Sequence, residues 1–173
     1  MFFEGDAIKA RLFVKNQEFS LVVLKKLKIV NSINEHGTLI LEGIISEEQI
    51  NAYGNICSLE PMKLVLCDEN TEVEIFQGLV YELNLNFRNS VGYIYMKGIS
   101  YSYLLDIVYK SRSFQNKDMQ YSDLINKITE EYTGKIIKIE DEAMSASTIN
   151  KPYIEYQETD WQFLKRIAST FNC

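Results

Sequence analysis

The chain has 173 residues, enough for one domain or two small ones, with 46% hydrophobic and 12% aromatic content to fill a core. Its formal net charge of −6 excludes a generally phosphate-binding surface, and two prolines and eight glycines exclude collagen-like or disordered composition. Cys57, Cys67 and Cys173 are odd in number without CxxC spacing, which argues against a disulfide framework or a zinc site and fits a reducing cytosol.

MFFEGDAIKARLF has neither the basic start nor the apolar run of a signal peptide, and Leu21–Leu24 is far too short to span a bilayer. The first strand is expected over Ile8–Val14, with Asn16 and Gln17 as a turn. Phe19–Leu24 continues as strand, and Leu27 and Ile29 restart the alternation after a lysine cluster. Lys25, Lys26 and Lys28 are open to two readings, a local basic patch or a solvated turn or strand edge where lysines discourage stray pairing; the second is favoured. Asn34–Gly37 is turn chemistry before a strand over Thr38–Ile45. Ser46 and Gln49 can cap one helical turn, but the stretch to Pro61 reads mainly as a connection.

Met62–Cys67 is a short strand, and 68–70 a polar turn. Glu72–Arg88 carries the strongest β signal. Leu79, Tyr81, Leu83, Leu85 and Phe87 alternate with Glu82, Asn84, Asn86 and Arg88, which predicts one buried and one wet face. Tyr93–Ile99 returns as its partner. Tyr101–Tyr109 is expected as strand running into a helical turn. Ser122 can cap a helix with Leu124, Ile125, Ile128 and Tyr132 on one face, ended by Gly134. Ile136–Ile139 is a strand and 141–150 a loop. In the closing stretch, Tyr153, Ile154 and Tyr156 predict a strand that feeds a helix at Thr159. Thr159 and Gln162 form a capping box. Glu158 and Asp160 meet the positive end of the helix dipole, and Trp161, Leu164, Ala168 and Phe171 make one apolar face, with Trp161 buried against the sheet.

The fold class expected from this pattern is mainly β with a smaller α+β part. Residues 1–100 read as all-β and 101–173 as an α+β module with two helices, joined without a flexible linker.

No catalytic, cofactor-binding or metal site is assigned. His36 sits in a turn without a second His. Glu158 and Asp160 as a glycosidase-like pair are better explained by the helix start. Glu140, Asp141 and Glu142 lack the spacing of a calcium loop, and no glycine-rich phosphate loop occurs. Trp161 and the eleven tyrosines suit core packing better than base or sugar stacking.

Three stretches carry a family resemblance. YQETDWQFLKRIA (Tyr156–Ala168) resembles a signature of the late-control-D and VgrG family, the hub proteins of contractile phage tails, type VI secretion spikes and bacteriocin particles. Ser111, Arg112, Phe114 and Gln115 stand where such proteins carry a Ser-Arg-x-Phe-Gln element followed by a short helix. INEHGTLILEGII (Ile33–Ile45) is similar to an early hairpin of Gram-positive phage-type members. The resemblance implies an antiparallel tail-tube-like β-barrel followed by a short α/β module, as the N-terminal portion of a longer hub. It implies a structural, non-enzymatic role linking a sixfold tail tube to a threefold spike at the baseplate, as a homotrimer contacting tube or tube-initiator, spike and baseplate wedge proteins. Specific nucleic-acid binding and membrane insertion are not implied. The protein would be made in the cytoplasm and assembled into a tail particle. Two alternatives stay open: a non-catalytic front end of a hub fused to a cell-wall hydrolase, and, disfavoured by charge, a nucleic-acid-binding barrel. In a tube-like barrel, Glu82, Asn84 and Asn86 are expected to face the lumen or a neighbouring subunit.

Overall fold

The computed structural model describes residues 9–68, 71–89, 91–132 and 146–171. It divides into two compact units, Met1–Tyr101 and Ser102–Cys173. The chain is mainly β, with a large antiparallel sheet in the first unit and a smaller α+β arrangement in the second.

The strands of the first unit are β1 (Lys9–Val14), β2 (Gln17–Phe19), β3 (Val23–Val30), β4 (Thr38–Ile45), β5 (Pro61–Cys67), β6 (Glu72–Arg88) and β7 (Val91–Ser100). They form one sheet in the order β2-β1-β5-β6-β7-β4-β3, every neighbouring pair antiparallel. β1 and β2 are joined through Lys15 and Asn16, both at positive φ (52° and 63°), the backbone of a two-residue turn whose twist matches that of the strands.

The strand order explains why the sheet curls. β2 and β3 are its two outer members, yet only Ser20, Leu21 and Val22 separate them. In a flat sheet six strand spacings would put them roughly 29 Å apart. The four peptide steps from Phe19 to Val23 reach at most about 14 Å. The sheet therefore wraps around until its ends meet, as in a barrel. The short helix α1 (Glu47–Tyr53) secures the break between them. Tyr53 donates its hydroxyl to the Ser20 carbonyl (2.9 Å) and its ring stacks on Phe19 at 4.0 Å, while Gln49 Nε2 donates to Ser20 Oγ (2.9 Å). The capping box of Ser46 and Gln49 is present, but it opens two helical turns rather than one within a connection.

Enclosed by the sheet is a wholly apolar core that includes Leu12, Leu39, Leu41, Leu64, Val80 and Met96. β4 shows why: Leu39, Leu41 and Ile45 face inward while Thr38, Ile40, Glu42 and Ile44 stay half-buried on the other face. β6 departs from the expected alternation. Its pairing with β7 slips between Val80 and Glu82, a β-bulge at Tyr81. Phe76 and Val80 face the core before the bulge, and Leu83 and Leu85 pack against it afterwards. One extra residue switches the inward set from even to odd numbers. Leu79 is buried, but it lies outside this core cluster, and Tyr81 and Phe87 are exposed. The apolar set expected on one face is thus split. Gly78, just before the bulge, is required by close approach, since a Cβ there would run into the backbone carbonyl of Ile99.

In the second unit, a 3₁₀ turn (Tyr101–Asp106, beginning at the last residue of the first unit) precedes β8 (Tyr109–Phe114), α2 (Tyr121–Thr129), β9 (Tyr153–Thr159) and α3 (Asp160–Ala168). α2 begins one residue before the expected Ser122 cap, with Gln120 in the cap position and no side-chain cap bond. Its inward face is Leu124, Ile125 and Ile128, as the spacing predicts, but the helix ends at Thr129, so Tyr132, expected on the same face, lies beyond it. Phe114, Tyr121, Leu124, Ile128, Tyr153, Phe163 and Ile167 form the unit's own apolar cluster. Inside it the Tyr121 and Tyr153 hydroxyls share a buried hydrogen bond of 2.8 Å. The expected strand Ile136–Ile139, the helix stop Gly134 and the acidic run Glu140–Glu142 lie outside the described residues.

Candidate functional site

β8 and β9 pair antiparallel, with Arg112 opposite Glu155 and Phe114 opposite Tyr153, and the register slips between Lys110 and Ser111. On the other strand the slip falls at Gln157, whose φ is 48°. Period two sorts the ribbon into two faces. Lys110, Arg112, Phe114, Tyr153 and Glu155 turn inward, while Tyr109, Ser111, Ser113, Ile154 and Tyr156 turn out. The inner face is apolar at one end, where Phe114 and Tyr153 join Phe163. At the other end it is ionic.

Arg112 is the centre of that ionic end. Its Nε donates to Glu155 Oε2 at 2.6 Å, its Nη2 to Asp160 Oδ1, and its Nη1 to Glu131 Oε1 at 3.4 Å. Lys110 Nζ lies 2.9 Å from Asp160 Oδ2 and also pairs with Glu131. Tyr132 donates its hydroxyl to Asp160 Oδ2. Glu155 and Asp160 are both 0% exposed. Burial favours the neutral form of a carboxyl, and the two respond differently. Burial pushes the Glu155 carboxyl above the ordinary carboxylate range, with Arg112 opposing and neighbouring Asp160 adding to the rise. Burial also acts upward on Asp160, but hydrogen bonds from Lys110 and Tyr132 and the charge of Arg112 outweigh it and hold Asp160 low. Burial and the hydrogen bond to Asp160 push the Tyr132 phenol up to about 12.

The helix start is built around the same residues. Thr159 caps α3, accepting from Gln162 N at 3.2 Å, while Gln162 Oε1 accepts from Thr159 N at 3.2 Å, so the expected capping box is present. The Thr159 hydroxyl also donates to Asp106 Oδ1. Asp160 is the first helical residue and does more than complement the dipole, since three groups of the cluster converge on it. Glu158, expected beside it, instead pairs with Arg166. The two acids therefore do not face each other across a cleft. Trp161 is half-buried, with Lys165 Nζ 5.8 Å from its ring. The fully buried positions of α3 are Asp160, Phe163 and Ile167, so the inward face is rotated from the one the 3-4-3 spacing suggested.

Two of the stretches singled out in the sequence thus meet in space. Arg112 of the Ser-Arg-x-Phe-Gln element grips Asp160 of the Glu-Thr-Asp-Trp element. Sequence reasoning missed Lys110, Glu131, Tyr132 and Glu155 as members of one group. A signal existed: cations two apart on a strand share a face, and Glu155 falls in phase with buried Tyr153. Chemically the arrangement is a clamp, because its cations and most of its carboxylate oxygens are engaged with one another. Among the described residues no cluster of His, Cys, Asp and Glu is arranged to hold a metal ion. His36 lies in the loop before β4, and Lys25, Lys26 and Lys28 lie on β3, an outer strand of the sheet. Lys26 pairs with Glu42 at 2.8 Å, and Lys25 sits 4.7 Å from the Tyr93 ring centroid.

No protein-family model matches the chain, and no curated protein matches it. Solved structures do. A tail protein from Neisseria meningitidis MC58 aligns over 95% of this chain and 45% of its own, with a TM-score of 0.71 and 15% identity. The 43 kDa tail protein of prophage MuSo2 from Shewanella oneidensis aligns over 94% and 48%, with a TM-score of 0.73 and 14% identity. The chain carries the fold of phage tail and VgrG-type proteins. A Francisella PdpA-VgrG complex extends the likeness, over 94% of this chain and 25% of the other, at a TM-score of 0.61 and 11% identity. The chain spans less than half the length of each of these three. At 94–95% of the chain, the likeness takes in residues of both units. No helix among the described residues is long and apolar enough to cross a membrane.

Proposed function

We propose that the chain is a structural part of a contractile tail, within the baseplate hub that joins a sixfold tube to a threefold spike. The observation that carries this reading is the tail-protein fold across 94–95% of the chain. In it residues 1–100 act as a tube-like barrel and 101–173 as the α+β module attached to it. The protein works as a homotrimer assembled with tube or tube-initiator, spike and baseplate wedge proteins into a tail particle. No step requires a catalytic residue in this portion. The role needs rigid, well-packed units presenting interfaces, and obligate assemblies bury on the order of 2,000–5,000 Å² each.

Glu82, Asn84 and Asn86 are exposed on the face of β6 away from the core, which suits a channel or subunit contact. Their surroundings are mixed in sign, since Glu82 stands opposite Lys97 and Lys26 pairs with Glu42.

Light scattering on the full-length gene product, followed by electron microscopy with its tube protein, tests the proposal. A trimer seated at the tube end is expected. A monomer that retards DNA in a gel would overturn it in favour of a nucleic-acid-binding barrel. Zymography of the same product on cell-wall substrate identifies a fused hydrolase if there is one.

A further inference from the structure

We propose that Glu155 and Asp160 share one proton at neutral pH, and that this proton fastens the clamp, so the second unit is held more tightly in mildly acidic than in alkaline solution. The inference goes beyond the tail reading and rests on the unit's own groups. Glu155 Oε2 takes the Arg112 Nε–H, but Glu155 Oε1 is buried without a hydrogen-bond partner among the described residues. The surrounding donors are aimed elsewhere: Arg112 Nη1 at Glu131, Arg112 Nη2, Lys110 and Tyr132 at Asp160, with Lys110 also at Glu131. An ionised oxygen left so is strongly disfavoured, whereas a protonated one brings its own donor.

Glu155 and Asp160 take hydrogen bonds from neighbouring nitrogens of one guanidinium, Nε and Nη2 of Arg112, which draws the two buried carboxyl groups together. Between two anions that approach is repulsive, and a proton between them turns it into a bond. Charge balance agrees. Two cations, Lys110 and Arg112, engage three acids, Glu131, Glu155 and Asp160, so one proton makes the group neutral. Among the described residues, Asp106 is engaged with the Thr159 hydroxyl and Glu158 with Arg166, outside the group. Burial raises Glu155 while the cations hold Asp160 down, so the proton resides on Glu155.

The pH dependence follows from those directions. A carboxyl raised in the folded state contributes stability that is complete below its unfolded value and is lost as pH climbs through the raised value. Asp160, depressed, acts oppositely: its contribution is lost as pH falls through the lowered value. The clamp is therefore tightest between the two.

The test uses the full chain. Infrared difference spectra of wild type should show a protonated carboxyl persisting at about pH 7, well above the ordinary carboxylate range, and Glu155→Gln should remove that band. Urea midpoints followed by Trp161 fluorescence should fall from about pH 5 to about pH 8 in wild type, by up to tenfold in the folding constant per pH unit, and much less in Glu155→Gln. Absence of the protonated band in wild type overturns the proposal, even if the variant fails to fold. An equally steep pH slope in a folded Glu155→Gln overturns it too.

Discussion

The two units use β-strands to solve different problems. In the first, seven strands enclose an apolar core in which Leu12, Leu39, Leu41, Leu64 and Met96 are fully buried, and the buried carboxylate of Glu60 lies outside that cluster, paired with the exposed Lys15. In the second, a ribbon of only two strands is too small to stand alone. It leans on α2 and α3 through a short apolar cluster that runs directly into a buried group of ions. An apolar core degrades in proportion to the volume removed. A buried ion group fails abruptly, because taking one member strands the others in a poor solvent. The contrast lies in how each unit responds to damage.

Arg112→Ala should produce the largest loss, on the order of 3–5 kcal/mol, because it leaves Glu155 and Asp160 buried without their common partner. Trp161 is the chain's single tryptophan and lies in the second unit, so urea unfolding followed by its fluorescence reads that unit. A loss under about 1 kcal/mol would show the ions to be dispensable and erase the contrast. Arg112→Lys should restore little, since an ammonium cannot reproduce the planar fork that reaches three carboxylates.

Phe163→Ala, at the centre of the second unit's apolar cluster, should cost about 3–5 kcal/mol, and Trp161→Ala distinctly less, because its ring is only half-buried. If Trp161→Ala proved the worse of the two, the orientation of α3 would have to be revised. In the first unit, Leu64→Ala should cost roughly 2–5 kcal/mol, while Leu64→Met should stay below about 1.5, both followed by far-ultraviolet circular dichroism. Tolerance at Leu64 with intolerance at Arg112 is the sharpest form of the comparison.

The smallest effect separates two helix starts of identical design. Ser46 and Thr159 both make capping boxes. Each →Ala change should cost about 1 kcal/mol. Thr159→Ala should be the larger, because it also leaves Asp106 without its hydroxyl donor. Equal thermal shifts would reduce that extra bond to a bystander.

Period two and capping chemistry were readable along the chain because they depend on neighbours a few residues apart. They account for β4, for the turn before it and for the Thr159 cap. The bulge at Tyr81 was not readable. A strand that pauses for one residue shows the same run of alternating residues, and only the partner strand reveals the slip. α1 was underestimated for a related reason: its only inward anchors are the half-buried Ile50 and Tyr53, too few to display a helical period. The ion group was hidden most deeply. Arg112 and Asp160 are 48 positions apart, and no local rule joins a strand arginine to a helix-start aspartate. The motifs marked both segments as notable without revealing that each is the other's partner.

That separation also governs the order in which the protein can form. Every strand of the first unit has emerged from the ribosome by Ser100, and successive strands such as β5, β6 and β7 are direct neighbours, so its pairing can begin early. β8 emerges next, but its partner follows only after residue 152. At roughly 5–20 residues per second, Lys110 and Arg112 wait several seconds in water for the acids that will enclose them. Closing so long a loop before any ladder bond rewards it is slow. The nascent chain therefore holds a finished sheet while the ribbon is still unfinished, and the second unit is complete only once β9 and α3 have been made.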